Sequence, residues 1–102
     1  MKRYFISQPM NGKNDDEIRR ERDNIISEIK SNDKDAYIID SFFAGAPHDA
    51  TPLWFLGKSF ELLSTADVAV FSPGWEKARG CRMEFKAAVE YGIEVKIVGG
   101  DF

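Results

Sequence analysis

The sequence predicts one α/β domain spanning residues 1–102, built on a doubly wound parallel sheet of four to five strands with helices on both faces. Three observations lead there. Short apolar runs alternate with longer stretches of helical periodicity along the whole chain. The run Asp67-Val68-Ala69-Val70-Phe71 is apolar after its first residue, as in a strand buried on both faces of a parallel sheet. The segments after the first three strands are rich in Gly, Pro, Ser and aromatic residues, as suits loops that bind a ligand at the carboxyl edge of such a sheet.

Tyr4-Phe5-Ile6 is the first strand, stopped by Ser7-Gln8-Pro9 because proline cannot donate to a sheet ladder. A helix follows from Asn14 to about Ser31. Ile18, Ile25, Ile26 and Ile29 recur there at helical spacing, and Asp15, Asp16 and Glu17 complement the dipole of its first turn. Ala36 to Asp40 reads as the second strand and opens into a long loop, Ser41 to Asp49. Thr51-Pro52 starts the second helix, threonine as N-cap and proline at the first helical position. Leu53, Leu56, Phe60 and Leu63 form its expected apolar face. Trp54 and Phe55, on the same helix, are read as core or subunit contact. The third strand, Asp67 to Phe71, leads into the loop Ser72 to Gly80. A third helix follows from about Cys81 to Tyr91, closed by Gly92, and Glu94 to Val98 is the last strand. This order is flavodoxin- or Rossmann-like, and it gathers the loops Ser7–Gly12, Ser41–Asp49 and Ser72–Gly80 into one site.

Composition narrows the function classes. The net charge is −3 with cations scattered among anions, so no basic stripe points to nucleic acid. No apolar run approaches the roughly 20 residues of a membrane span, and the polar residues after Ser7 rule out a secretory h-region. The single cysteine, Cys81, has no partner for an intrachain disulfide or a zinc site. A cytoplasmic protein is expected. Eight Phe, three Tyr and two Trp are many for this length, and part of that surface is expected to meet a ligand or another subunit.

Glu84 is the leading chemical candidate. In the opening turn of the third helix, with Arg79 and Arg82 nearby, a carboxylate is expected to be favoured in its ionised form. An ionised carboxylate beside a pocket can attack a sugar carbon. An Arg-paired helix carboxylate of purely stabilising value has the same spacing. Trp75, beside Gly74, has two readings, stacking on a base or packing on its own loop or a subunit interface. Asp40 either reaches the cleft or caps its loop, and Arg79 and Arg82 are phosphate ligands or ordinary surface residues. His48 lies at a pocket edge or in a solvent loop. Cys81 is either a thiol activated by the helix N-terminus or small buried filler.

The stretch Phe71 to Phe85, with Pro73-Gly74-Trp75-Glu76 followed by Arg79-Gly80 and then Glu84, resembles the strand–loop–helix motif of the nucleoside 2-deoxyribosyltransferases and related N-glycoside hydrolases. It is most similar to a branch of that superfamily found in bacteria and phages. Tyr4 to Gly12 resembles that branch's opening strand and loop, and Ala66-Asp67-Val68 leads into the third strand as in the family. The resemblance covers nearly the whole chain. It implies that Glu84 attacks C1′ of a deoxyribose and that water or an acceptor base resolves the glycosyl-enzyme. Ser7, Gln8, Pro9, Met10 and Gly12 would line the base and sugar pocket. Gly74, Trp75, Arg79, Gly80 and Arg82 would approach the 5′ end. The family's second acid, eight residues before the Asp that opens the third strand, falls on Ser59, and its phosphate-contacting Ser falls on Ala78. The implied ligand is a small nucleoside or nucleotide, no metal or organic cofactor is required, and a homo-oligomer is expected. A binding module that holds such a ligand without turnover is the alternative. A structural protein, its pocket filled by Phe42 and Phe43, is a third reading.

Overall fold

The computed structural model describes residues 1–41 and 47–100. It contains β1 (Arg3–Ser7), α1 (Asp15–Asn32), β2 (Tyr37–Ile38), α2 (Pro52–Leu63), β3 (Val68–Phe71), α3 (Arg79–Glu90) and β4 (Glu94–Ile97), with a short 3₁₀ turn at Trp75–Lys77. The four strands form one all-parallel sheet in the order β2-β1-β3-β4. The chain thus runs outward from β1 to β2, then crosses back to β3 on the other side. This is the doubly wound arrangement, with its switch point between β1 and β3.

Strand alternation builds the two cores. Tyr4, Ile6, Val68 and Val70 point to one face and pack with Ile25 and Ile29 of α1. Phe5, Ala69 and Phe71 point to the other, against Leu63 of α2 and Ala88 of α3. Covering both faces explains why β3 is apolar at every position; all four of its residues are 0% exposed.

Caps set most boundaries. Asn14 Oδ1 accepts the Glu17 N–H at 2.9 Å, and Thr51 Oγ1 accepts that of Trp54 at 3.2 Å, the expected start of α2. Gly92, at φ 76°, follows the end of α3 in the left-handed region. The expected β2 contracts to two residues because only Arg3↔Tyr37 and Tyr4↔Ile38 are in register with β1. One more backbone bond, Ile39 N–H to Tyr4 O at 2.9 Å, extends the pairing before the chain turns away.

The expected apolar face of α2 needs correction. Leu63 alone of its residues is buried, whereas Leu53 is 74% and Phe60 39% exposed. Only the C-terminal end of α2 reaches the sheet, and its N-terminal part lines the cleft described below. Trp54 and Phe55 meet edge to face with centroids 5.1 Å apart; Trp54 is half-buried and Phe55 38% exposed. No helix among the described residues is long and apolar enough to cross a membrane.

A buried cation fixes the exit of β2. Arg22 of α1 donates from Nη2 to Ile39 O at 2.9 Å and from Nη1 to Ser41 Oγ at 3.1 Å. Burial pushes its pKa down, and the charge of Asp40 offsets part of that. Arg22→Met keeps the stem but strands two acceptors, and is expected to cost about 1–3 kcal/mol in urea unfolding. A loss within 0.5 kcal/mol would show that the guanidinium contributes nothing to holding this exit.

Candidate active site

An open cleft of about 1090 Å³ lies at the carboxyl end of β1, beside the switch point where a ligand is predicted. Phe5, Ile6 and Ser7 of β1 contribute to its lining, with Gln8 to Asn11 beyond them. One wall is α2, through Leu53, Phe55, Leu56 and Ser59. The other is the start of α3, from Lys77 to Glu84. From the second expected loop, Ser41 lines the cleft; residues 42–46, with Phe42 and Phe43 among them, lie outside the described residues.

Glu84 is the one carboxylate among the described lining residues. It is 7% exposed, and Ser7 Oγ donates to its Oε1 at 2.7 Å. The helix begins at Arg79, two residues before the expected start, so Glu84 belongs to its second turn. The expectation of a carboxylate held ionised by the helix end and by Arg79 and Arg82 is therefore overturned. Burial pushes its pKa above the ordinary value, and the hydrogen bond from Ser7, with the Ser59 hydroxyl nearby, pulls it part of the way back. The two arginines act elsewhere: Arg82 Nη1 donates to Glu76 O at 2.9 Å, and Arg79 is exposed at the cleft wall.

A stability consequence follows from that shift. The folded protein holds the Glu84 proton more tightly than the unfolded chain, so stability is greatest below the unfolded pKa and falls as pH rises through the folded one. Glu84→Gln, which is always neutral, is expected to raise Tm at pH 7, with the gain vanishing below pH ~4. An equal change in Tm at both pH values would remove the charge as its cause.

Of the residues singled out from the sequence, Ser7, Gln8, Pro9, Met10, Ser59, Arg79, Gly80, Arg82 and Glu84 are brought together in the cleft. Gly12, Asp40, Gly74 and Trp75 are not among its lining residues. Trp75 stacks on Phe85 (centroids 4.2 Å apart, planes at 13°) and tilts against Phe71 at 5.6 Å, so its ring is engaged with its own loop and helix. Gly74, at φ 88°, supplies the left-handed turn that makes this packing possible. Asp40 is exposed beyond β2, its charge felt by Arg22.

A network around Glu21 escaped the sequence reading. Glu21 of α1 accepts from Gln8 Nε2 and Ser72 Oγ on one oxygen, each at 3.2 Å, and pairs with Lys13 Nζ at 2.7 Å on the other. This network, with a second bond from Gln8 Nε2 to Ile18 O, sets the Gln8 amide; its Oε1 has no partner among the described residues. Cys81, one helical turn before Glu84, is 5% exposed, and burial pushes its thiol pKa up. Filler was thus the better of its two readings, although the residue is among those lining the cleft. The polar periodicity around Glu21 and Arg22 did not mark Arg22 as buried or Glu21 as the centre of a network.

Comparison of this chain with protein-family models, with curated proteins and with solved structures finds no match. The chemistry of the cleft rests on its own residues.

Proposed function

We propose that the protein cleaves, or transfers, the N-glycosidic bond of a deoxynucleoside or its 5′-monophosphate, with Glu84 as nucleophile. The observation that carries this reading is a buried carboxylate, hydrogen-bonded by the Ser7 hydroxyl, in a cleft at the switch point of the sheet. A carboxylate so placed is fixed in orientation and poorly solvated once ionised, two properties of an effective nucleophile. An oxygen of Glu84 attacks C1′ as the C1′–N bond breaks, its electron pair leaving with the base, which takes up a proton from water in the open cleft. Water, or the nitrogen of a second base, then attacks C1′, releases Glu84 as carboxylate and loses a proton.

Charge favours the phosphorylated substrate. The chain carries a net −3, yet among the described residues the basic and acidic side chains lining the cleft are Lys77, Arg79 and Arg82 together with the buried Glu84. The first turn of α3 lies beside them with no side-chain cap on its amides, a setting that suits a phosphate.

The second reading, a module that binds a nucleotide without turnover, is favoured by one observation. Among the described lining residues Glu84 is the sole carboxylate, with Ser59 where a second acid would assist the leaving group. Incubation with a panel of deoxynucleosides and their 5′-monophosphates, scored for free base, separates the two. Base release supports cleavage, whereas binding by calorimetry without release supports the module.

A further inference from the structure

The cleft is rich in cations and poor in groups that can give up a proton. Breaking C1′–N sends an electron pair onto the base, and a positioned acid that protonates the base as it leaves contributes about 10²–10⁴-fold. Among the described lining residues Glu84 is the sole carboxyl, and it must be ionised to attack C1′. The α2 residues of the lining, Pro52, Leu53, Phe55, Leu56 and Ser59, are apolar but for one hydroxyl, and the proton of the Ser7 hydroxyl is directed at Glu84 Oε1, 2.7 Å away. Lys77, Arg79 and Arg82 are the cations of the lining. A guanidinium keeps its proton in a protein, and an ordinary ammonium is a far weaker acid than a carboxyl. Burial of the Cys81 thiol pushes its pKa up, which makes it a still weaker acid. His48, the one histidine of the chain, is exposed and is not a lining residue. Residues 42–46 read Phe-Phe-Ala-Gly-Ala and carry no ionisable side chain.

From this inventory, and resting on Glu84 as the nucleophile proposed above, we infer that the substrates carry bases that depart with no proton from the protein. The class comprises deoxynucleosides, or their 5′-monophosphates, of pyrimidines with an electron-withdrawing group at C5 and of purines made cationic by alkylation at N7. In a 5-halopyrimidine the C1′–N1 pair leaves with the base as an anion, its charge spread over the ring and drawn off by the halogen, and water protonates it afterwards. In an N7-alkylated purine the departing pair cancels the positive charge of the ring, so the base leaves neutral. In both, an oxygen of Glu84 bonds to C1′ as C1′–N breaks, and water then takes its place at C1′, restores the carboxylate and loses a proton. Thymine and cytosine leave as stronger bases and depend on an acid, so they are the poor substrates of this site. The apolar α2 wall accommodates a base without reading its polar edge, which leaves the sorting to leaving-group strength.

Thymidine and 5-bromo-2′-deoxyuridine separate leaving-group strength from fit, because methyl and bromine are close in size and opposite in electron demand. Each is offered as the nucleoside and as the 5′-monophosphate, and kcat/KM for base release is measured against Glu84→Gln and enzyme-free backgrounds. 5-Bromouracil is expected to be released about tenfold or more faster than thymine, and its kcat/KM to fall by less than about 1.5-fold in D2O, since no proton moves as the bond breaks. Release of the two bases within about threefold of each other overturns the inference and leaves cleavage standing, as does a D2O effect of about twofold or more. Release of neither base, nor of 7-methylguanine from its deoxynucleoside above both backgrounds, overturns the inference and the cleavage reading together, because these leaving groups ask least of the site.

Discussion

Glu84→Ala is expected to abolish base release from every deoxynucleoside or 5′-monophosphate that the wild type cleaves, a loss on the order of 10³-fold or more in kcat. The size follows from the role. A nucleophile supplies the bond that replaces C1′–N, and the described part of the cleft offers no second carboxylate to substitute for it. The variant should still fold, because the deleted group is one whose ionisation in the folded state costs stability. It should also still bind a 5′-monophosphate, since Lys77, Arg79 and Arg82 are untouched. Activity in Glu84→Ala above one-tenth of wild type would mean that another group makes the bond. The wild-type pH profile carries a second signature: release should rise with pH along a limb displaced above the ordinary carboxylate value, because Glu84 must ionise first.

Phe71→Ala is expected to be the most damaging core substitution for stability, at about 3–5 kcal/mol. Its ring is 0% exposed at the end of a strand with neighbours on both sides, and it meets Phe85 at 5.2 Å and Trp75 at 5.6 Å. These rings tie β3 to the loop and helix that carry Glu84. A domain of this size has roughly 5–15 kcal/mol of total stability, so most of its margin is at stake. Thermal unfolding followed by circular dichroism should show Tm falling by roughly 15 °C or more. Phe60→Ala on α2 is the internal comparison: at 39% exposure it should cost under about 1 kcal/mol. Similar losses at the two positions would contradict the division of α2 from the core.

The fold was legible because its signals are local and repeated. Tyr4-Phe5-Ile6 and Val68-Ala69-Val70 are apolar on both faces, and Thr51-Pro52 carries its own start signal. Each is read from a few adjacent residues, and parallel strands joined by helices leave few topologies. The elements that shifted did so for tertiary reasons. β2 has two paired residues because its register with β1 runs out, a fact held in neither segment alone. The apolar periodicity of α2 signals a helix but not how much of it meets the sheet, so Leu53 and Phe60 read as core and lie exposed.

The site was legible in its centre and less so at its edges. Glu84, Ser7 and Ser59 converge as the topology requires. Trp75 and Gly74 fell outside the cleft because Phe85, ten residues on, offers the indole a stacked partner, a choice that loop composition does not encode. The direction of the Glu84 shift also escaped sequence reasoning. Nearby arginines and a helix start imply a stabilised charge, but Arg82 is turned to Glu76 O, Glu84 sits in the second turn, and burial raises its pKa, a property of the assembled cleft.

The central claim is that Glu84 forms a bond to C1′, and capture of that bond tests it most directly. The protein is mixed with a deoxynucleoside 5′-monophosphate that it cleaves, quenched in acid within a turnover, digested and mapped by mass spectrometry. The account predicts a deoxyribosyl 5-phosphate ester on the peptide containing Glu84, absent from Glu84→Gln. Base release accompanied by an adduct on another residue would contradict it.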